Sequence, residues 1–211
     1  MNVAIIANGD VNDYSFARQA LSRCGYVIAC DGGLRHCHML GVTPDCIVGD
    51  IDSAPPDILA QYHNVPVHRH NEMKDYTDLE AAIAVACDSG AESILVLGGL
   101  GGRFDHQLGN IHALAQAVEY GIPAMIIDER TRVQLVNSHC RLHLQDGNLV
   151  TLLPLTTSVE GIETEGLQYP LKNEALTIGN ARGLSNVIIA ESATVTVKHG
   201  LLLIVQTRGL C

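Results

Sequence analysis

Aspartate residues follow several short apolar runs in the first half of this sequence, and carboxylates gathered in this way can bind a metal ion. Asp50-Ile51-Asp52-Ser53 follows the apolar run 46–48, from which only Gly49 separates it. In an extended segment, residues two apart point to the same side, so the carboxylates of Asp50 and Asp52 can share one cation. Mg²⁺ favours a few carboxylates completed by water and phosphate oxygens. The alternative is structural, because aspartate is also common in turns and at helix caps.

A second acidic segment, Asp75-Tyr76-Thr77-Asp78, opens a predicted helix over residues 77–89. Asp75 or Thr77 can serve simply as the N-cap of that helix. The whole chain, however, has a formal net charge of -10, and more acids at one sheet edge repel one another unless a cation compensates them. Lys74 adds a nearby positive charge that can contact a phosphate.

A glycine-rich segment from Gly98 to Gly102 joins a predicted strand to a predicted helix. Glycine lets backbone N–H groups approach a phosphate, and a helix N-terminus favours an anion, although tight strand-to-helix packing explains the glycines nearly as well. Arg103 can bind phosphate through two N–H groups. Asp105 can cap the helix, bind a metal or pair with Arg103. His106 is either a phosphate donor or a structural residue.

The segment His36-Cys37-His38 lies on a predicted helix over residues 34–40 and has two interpretations. It can be half of a metal site, although the sequence offers no matching second half. Otherwise it is part of a helix that carries two exposed imidazoles. The seven cysteines include no C-x-x-C pair, so we expect free, mostly buried thiols in a reducing compartment.

Strand and helix patterns alternate through the first half of the chain. The predicted strands cover residues 3–7, 26–30, 46–48, 94–97 and 124–127, and the predicted helices cover 15–24, 34–40, 77–89 and 105–120. This alternation predicts a Rossmann-like α/β domain with a mostly parallel sheet and helices on both faces. Ligands of such sheets bind at the carboxyl ends of the strands, where Asp31-Gly32-Gly33 and the acidic segments fall.

The pattern changes near residue 130, beyond which no amphipathic helix is evident. Short predicted strands cover residues 132–136, 140–144, 149–154, 158–164, 186–190, 193–198 and 201–206. Turn residues such as Asp146-Gly147 separate them, which indicates an antiparallel β-sandwich or barrel. We therefore predict an α/β domain over residues 1–130 and an all-β sandwich domain over residues 131–211.

Composition restricts the class of protein. A hydrophobic fraction of 47% with a charged fraction of 17% is typical of a folded globular chain. The acidic balance argues against broad nucleic-acid binding. The N-terminal residues lack the basic region of a signal peptide, and no apolar stretch is long enough for a membrane span. We therefore expect a cytoplasmic protein with neither a nucleic-acid nor a membrane partner.

The ordered set of motifs resembles the thiamine pyrophosphokinase (thiamine diphosphokinase) family. The motifs are Asp31-Gly32-Gly33, Gly49-Asp50-Ile51-Asp52-Ser53, Asp75-Tyr76-Thr77-Asp78, Gly101-Gly102-Arg103-Phe104-Asp105-His106, Thr164-Glu165-Gly166-Leu167-Gln168-Tyr169 and Gly183-Leu184-Ser185-Asn186. The resemblance covers nearly the whole chain. It implies an α/β catalytic domain, a thiamine-binding β-sandwich, and a homodimer with thiamine bound where the two subunits meet. The implied reaction converts ATP and thiamine to thiamine diphosphate and AMP.

The resemblance also implies roles for individual residues. The implied Mg²⁺ ligands are Asp50, Asp52 and Asp75, and the wider catalytic set adds Asp78, Arg103 and Asp105. The implied nucleotide-binding residues are Asp31, Gly32, Gly33, Lys74, Gly101, Gly102, Arg103 and His106. The implied thiamine-binding residues are Ser185 and Asn186. Asp52 and Asp75 are both candidates for the base that accepts the hydroxyl proton.

Two other functions fit the same acids. A Mg²⁺-dependent phosphohydrolase or nucleotidyltransferase would consume nucleotide without thiamine, and a ligand sensor would bind thiamine without turnover. The chain contains no Trp, so if a relative stacks thiamine on Trp, a smaller side chain must take that place here.

Overall fold

The alternation of strands and helices ends where the chain divides into two compact units, Met1–Glu129 and Arg130–Cys211. The computed structural model describes residues 1–51, 54–69 and 76–209.

The first unit consists of parallel strands joined by helices. Its strands are β1 (Asn2–Ile6), β2 (Tyr26–Cys30), β3 (Cys46–Val48), β4 (Val67–His68), β5 (Ser93–Leu97) and β6 (Ala124–Ile127). Its helices are α1 (Tyr14–Leu21), α2 (Leu34–Leu40), α3 (Pro56–Leu59), α4 (Asp78–Asp88) and α5 (Phe104–Glu119). Asp31–Gly33 and Ala60–Tyr62 form single 3₁₀ turns. The described strands lie side by side in the order β6-β5-β1-β2-β3-β4, and every pairing is parallel.

The centre of this sheet is covered on both faces. The four residues from Val3 to Ile6 on β1 have no exposed surface, which is why β1 is an uninterrupted apolar run rather than an alternating one. Hydrophobic residues of α1 and α2 pack on one side, where Ala17, Leu34 and Cys37 belong to the same buried cluster as Ile6. The order of strands places the carboxyl ends of β1, β2, β3 and β5 at one edge of the sheet.

The predicted Rossmann-like domain is confirmed, and the differences concern short elements. The sequence pattern did not predict α3 or β4. The two residues of β4, Val67 and His68, are both exposed, so neither contributes the apolar periodicity that would indicate a strand. The four-residue α3 begins at Pro56 and is too short for its two core-facing residues, Ile58 and Leu59, to show a helical period.

The second unit is built from antiparallel strands. They are β7 (Thr131–Val136), β8 (His139–His143), β9 (Leu149–Pro154), β10 (Ser158–Glu165), β11 (Lys172–Thr177), β12 (Asn186–Val187), β13 (Ser192–Thr196) and β14 (Leu202–Thr207). Within this unit the strands run in the orders β12-β9-β14-β7 and β11-β10-β13-β8. Both groups contribute to one buried cluster, for example Val150 and Ile204 from the first and Ile162 and Val195 from the second. The predicted β-sandwich is therefore confirmed.

The sequence pattern does not predict the strand β11, because its residues lack an apolar alternation. Leu176 is its only buried residue among six. The predicted strand over 186–190 is shorter in the structure, where β12 ends at Val187. An isolated bridge between Leu167 and Ile188 continues the pairing beyond it.

One expectation about α2 is wrong, because its two histidines are not both exposed. His36 is 4% exposed, whereas His38 lies on the surface. Within the described ranges, none of the helices combines the length and hydrophobicity that a membrane span requires.

Candidate active site

The carboxyl ends of β1, β2, β3 and β5 surround a cavity of about 630 Å³. Its lining comes from the residues that follow these strands and from the first turns of α4 and α5. The lining residues are Ala7, Asn8, Gly9, Asp10, Cys30, Asp31, Asp50, Thr77, Asp78, Leu79, Gly98, Gly99, Gly101, Gly102, Arg103, Asp105, His106, Gly109 and Asn110. The cavity is therefore at the edge where an open α/β sheet binds its ligands.

Three carboxylates converge in this cavity. Asp31, Asp50 and Asp78 each offer an oxygen, and these oxygens all lie within 4.8 Å of one another. Asp31 and Asp78 are half-buried, whereas Asp50 is exposed. Hard oxygen ligands on separate segments are the donor set that Mg²⁺ binds. Oδ1 of Asp31 is buried and has no hydrogen-bond partner among the described residues, so this oxygen is suited to a cation ligand.

The backbone around Asp31 is specialised for this convergence. Asp31 has a φ of 46°, a left-handed conformation that Asp and Asn tolerate better than most residues. Gly49, with a φ of 131°, faces it: a Cβ on Gly49 would lie 3.2 Å from the Cβ of Asp31 and 3.3 Å from Oδ1 of Asp78. Glycine at this position therefore allows two of the acids to approach β3 closely.

The helix cap of α4 explains how Asp78 becomes available to the cavity. Thr77 is the N-cap, and its hydroxyl accepts a hydrogen bond from the backbone N–H of Glu80 at 3.3 Å. The Glu80 carboxylate accepts one from the backbone N–H of Thr77 at 2.6 Å, which completes a capping box. Of the two caps that the sequence allowed, Thr77 performs the role.

The glycine segment after β5 packs tightly against the segment after β1. Gly98 has a φ of +66°, and a Cβ there would lie 2.5 Å from the carbonyl oxygen of Ala7. The N–H of Gly9 donates to the carbonyl of Gly98 at 2.8 Å. A Cβ on Gly101 would lie 3.0 Å from the side chain of Asp10. Close packing therefore requires these glycines, and the same residues form a wall of the cavity.

The turn after β2 also requires glycine for close packing. Gly32 and Gly33 are both buried. A Cβ on Gly33 would overlap the carbonyl oxygen of Ile6, and one on Gly32 would overlap the side chain of Asn8. The two glycines thus bring Asp31 next to the end of β1.

Arg103 and Asp105 form a two-pronged ion pair at the start of α5. Nε of Arg103 lies 3.1 Å from Oδ1 of Asp105, and Nη2 lies 2.6 Å from Oδ2. The Arg103 guanidinium lowers the pKa of Asp105 to about 2, so this acid is ionised at neutral pH. The sequence allows three roles for Asp105, and the structure shows one of them, pairing with Arg103. His106 lies beside it on the exposed rim of the cavity.

The local electrostatic potential near the acids is negative. Burial raises the pKa of the Cys30 thiol well above its ordinary value, and the charges of Asp78 and Asp31 raise it further. Cys30 therefore stays protonated, and the acids remain the groups here that attract a cation.

Several predicted site residues lie outside the described residues. They are Asp52, Asp75 and Lys74, together with Ser53. The predicted role of Asp52 as the second metal ligand beside Asp50 therefore stays a prediction. The structure instead groups Asp50 with two acids that the resemblance had assigned to the nucleotide and to the wider catalytic set, Asp31 and Asp78.

Three polar residues of the cavity were missed in the sequence. Asn8 and Asp10 follow β1, and Asn110 lies in the second turn of α5, where its Nδ2 donates to the carbonyl of Gly99 at 2.9 Å. The available signal was the position of Asn8 and Asp10 just after the first predicted strand, at the edge of the sheet where ligands bind.

In the second unit, Ser185 and Asn186 have different surroundings. Ser185 is exposed and has a φ of 57°. Asn186 is 7% exposed, and its amide makes hydrogen bonds with the backbone N–H and carbonyl of Tyr169 at 3.0 and 2.7 Å. Ser185 is therefore accessible to a ligand, whereas the Asn186 side chain holds the backbone at Tyr169.

Comparison with known proteins decides the family. The profile described as "Thiamin pyrophosphokinase, catalytic domain" matches residues 17–126, and the profile "Thiamin pyrophosphokinase, vitamin B1 binding domain" matches residues 138–202. The chain belongs to the thiamine pyrophosphokinase family. Members of this family are ATP-dependent diphosphotransferases that form thiamine diphosphate from thiamine, and this chain is an enzyme of that class.

Individual thiamine pyrophosphokinases agree with this assignment. The chain is 30% identical to "Thiamin pyrophosphokinase 1" of Caenorhabditis elegans over 207 residues, which cover 89% of this chain and 82% of the relative. It is 28% identical to the Bacillus subtilis (strain 168) thiamine pyrophosphokinase over 171 residues, or 79% and 80% of the two chains. The crystal structure from Bacillus subtilis shares the fold with a TM-score of 0.86 at 24% identity, covering both chains completely.

Proposed function

We propose that this chain transfers the diphosphoryl group of ATP to the hydroxyl of thiamine in the cavity of its first unit, giving thiamine diphosphate and AMP. The observation that carries the proposal is the convergence of Asp31, Asp50 and Asp78 in a glycine-lined cavity at the carboxyl edge of a parallel sheet. Diphosphoryl transfer needs reactants to be positioned and negative charge to be stabilised, and such a cavity can do both.

The proposal includes Mg²⁺ as the cofactor. Among the described acids, Asp31, Asp50 and Asp78 would hold the ion, and the resemblance adds Asp52 and Asp75 as further candidates. When bound, the ion supplies neutralisation of the phosphate oxygens, which lowers the barrier to attack by an oxygen nucleophile. The unpartnered Oδ1 of Asp31 supports this assignment, because a buried carboxylate oxygen without a hydrogen bond is costly unless something compensates it.

The chemical step is one nucleophilic displacement at the β-phosphorus of ATP. The thiamine hydroxyl oxygen forms a bond to that phosphorus, the bond from it to the oxygen bridging the α- and β-phosphates breaks, and AMP leaves with that oxygen. The hydroxyl proton passes to an aspartate, for which Asp52 and Asp75 are the candidates. Arg103 and Lys74 contribute positive charge to the phosphates, and His106 contacts them from the rim.

The remaining roles follow the family resemblance. We propose that Gly32, Gly33, Gly101 and Gly102 admit the nucleotide and that Ser185 contacts thiamine, with Asn186 supporting the same region. The working form is proposed to be a homodimer with thiamine at the subunit interface. We also propose a cytoplasmic location, where ATP is available and the six described free cysteines would stay reduced.

The test is an assay with ATP, Mg²⁺ and thiamine in which the nucleotides and thiamine species are separated by chromatography. We expect thiamine-dependent AMP that disappears with a chelator. Asp78→Asn should lower kcat by about a hundredfold or more, as the loss of one stabilising group at a transition state does. Asp88→Asn, at the other end of the same helix, is the matched control and should keep normal activity.

Two outcomes would replace the proposal. Nucleotide consumption without thiamine would favour a phosphohydrolase or nucleotidyltransferase. Thiamine binding by calorimetry without turnover would favour a ligand sensor. Equal activity in the two variants would remove Asp78 from the site.

A further inference from the structure

Behind the wall of the cavity lies a buried histidine that the proposed reaction does not use. His36 is 4% exposed, and both of its ring nitrogens have close polar neighbours. Nε2 lies 2.8 Å from the carbonyl oxygen of Gly9, and Nδ1 lies 2.8 Å from the hydroxyl of Tyr14. The segment His36-Cys37-His38 is therefore not half of a metal site among the described residues, because the ring nitrogens of His36 are occupied by these two neighbours.

The chemistry of these neighbours determines where the proton of His36 lies. Nε2 has two polar neighbours, the carbonyl oxygen of Gly9 at 2.8 Å and Nε of Arg35 at 3.3 Å. Because the Gly9 oxygen is much the closer and can only accept, we assign the hydrogen to Nε2, which donates it to Gly9. Nδ1 is then the acceptor and receives the hydroxyl hydrogen of Tyr14. Burial lowers the pKa of His36, which favours this neutral form. Tyr14, His36 and Gly9 thus form a directed chain of two hydrogen bonds from α1 to the segment after β1.

The adjacent residue on α2 holds the same segment. Nη2 of Arg35 donates to the carbonyl oxygens of Asn8 and Gly9 at 2.8 and 3.3 Å. Side chains of α2 therefore supply hydrogen bonds to the carbonyls of two residues that lie beyond the end of β1.

The segment so held is a wall of the nucleotide cavity. Asn8, Gly9 and Asp10 all line it. On the other side, the N–H of Gly9 donates to the carbonyl of Gly98 at 2.8 Å. Gly9 is thus bonded through its N–H to the glycine segment and through its carbonyl to His36 and Arg35, which links His36 to the cavity wall.

We propose that His36, oriented by Tyr14, is a positioning residue for nucleotide binding: it fixes the Asn8–Asp10 segment against the glycine segment that faces the phosphates. The inference rests on the proposed function in assigning this cavity to ATP. His36 touches no substrate and acts through the backbone of Gly9.

Two conservative substitutions separate the two hydrogen bonds of His36. The amide of Gln reaches about the position of Nε2, so His36→Gln keeps a donor for Gly9. The amide of Asn reaches only about the position of Nδ1, so His36→Asn keeps a partner for Tyr14 and loses the bond to Gly9. We expect His36→Asn to raise the KM for ATP about tenfold, the effect of one lost hydrogen bond of ordinary strength. His36→Gln should stay within about threefold of the wild type, with the KM for thiamine unchanged in both.

A second pair of variants removes a hydroxyl without touching the histidine. Tyr14→Phe deletes the partner of Nδ1. Tyr62→Phe is the matched control, because its hydroxyl also donates to a partly buried acceptor, the carbonyl of Val42 at 3.4 Å, and Tyr62 does not line the cavity. We expect Tyr14→Phe to raise the KM for ATP by about twofold to threefold, and Tyr62→Phe to leave it unchanged.

These results would overturn the proposal: an unchanged KM for ATP in His36→Asn, an equal rise in His36→Gln and His36→Asn, or equal behaviour of the two tyrosine variants. If His36→Asn does not fold, the tyrosine pair decides. If the wild type makes no thiamine diphosphate, the proposed function fails. The positioning role is then tested by the rise in Tm that ATP with Mg²⁺ produces. This rise should be smaller in His36→Asn than in His36→Gln, and smaller in Tyr14→Phe than in Tyr62→Phe. No rise in the wild type would overturn both.

Discussion

Replacing Asp31 by Asn should stabilise the metal-free protein while removing its activity. Asp31 faces the carboxylates of Asp50 and Asp78, with ligand oxygens within 4.8 Å. At that distance two unit charges repel by about 1 kcal/mol at the dielectric constant of water and by about 3 kcal/mol at an effective value of 20. Because Asp50 is exposed and Asp31 and Asp78 are only half-buried, we use the figure for water for both pairs. Removing the two repulsions should therefore raise the free energy of unfolding by about 2 kcal/mol.

At Oδ1 of Asp31 the substitution removes no hydrogen bond to the described residues. Asn also tolerates the left-handed backbone at a φ of 46°. For a chain of this size, about 2 kcal/mol corresponds to a rise of about 4–8 °C in Tm.

The same variant should lose its response to the cation. A ligand at a hundred times its Kd stabilises the folded state by about 2.7 kcal/mol, so saturating Mg²⁺ should raise the Tm of the wild type by about 5–10 °C. In Asp31→Asn this rise should shrink to less than half, and kcat should fall about a hundredfold.

The assay is thermal unfolding with a chelator and then with excess Mg²⁺, beside steady-state kinetics. Asp88→Asn, which changes the charge equally but lies away from the cavity, is the control. A lower Tm for Asp31→Asn in the chelator, or an undiminished Mg²⁺ response, would refute the account of the acid cluster.

Other substitutions test the glycine wall, the ion pair and the buried histidine. Gly98→Ala should lower the free energy of unfolding by about 2 kcal/mol more than Gly121→Ala, because both have positive φ but only Gly98 has a backbone oxygen in the way; denaturant unfolding measures this. Arg103→Lys should raise the KM for ATP about tenfold, since Lys cannot form two parallel hydrogen bonds; an unchanged KM would exclude a phosphate contact. Because the pKa of His36 is lowered from 6.5, the unfolded chain binds the extra proton, so stability should fall as pH drops below about 6.5, and less so in His36→Gln.

The fold of the first unit was predictable because its apolar periodicity is strong. The runs that form β2, β3 and β6 have the same bounds in the sequence pattern and in the structure. Each is closed by an acid or a glycine at the strand end. In contrast, β4 and β11 lie at sheet edges with few buried residues, so their formation depends on pairing with a neighbouring strand rather than on local pattern.

The location of the site could be predicted from the sequence, whereas the identity of the residues that meet there could not. Strand ends indicated the acidic edge, but which three carboxylates meet depends on the left-handed turn at Asp31 and the approach allowed by Gly49. Such contacts involve residues far apart in sequence. The burial of His36 was equally hidden, because its partners Tyr14 and Gly9 lie on other elements.

The central claim is transfer of an intact diphosphoryl group, and the position of a phosphorus label tests it most directly. ATP labelled at the β-phosphorus and ATP labelled at the α-phosphorus are incubated separately with the protein, Mg²⁺ and thiamine. The account predicts that the β-label appears in thiamine diphosphate, that the α-label stays in AMP, and that the two products form in equal amounts. A β-label that remains in ADP while thiamine monophosphate accumulates would contradict it.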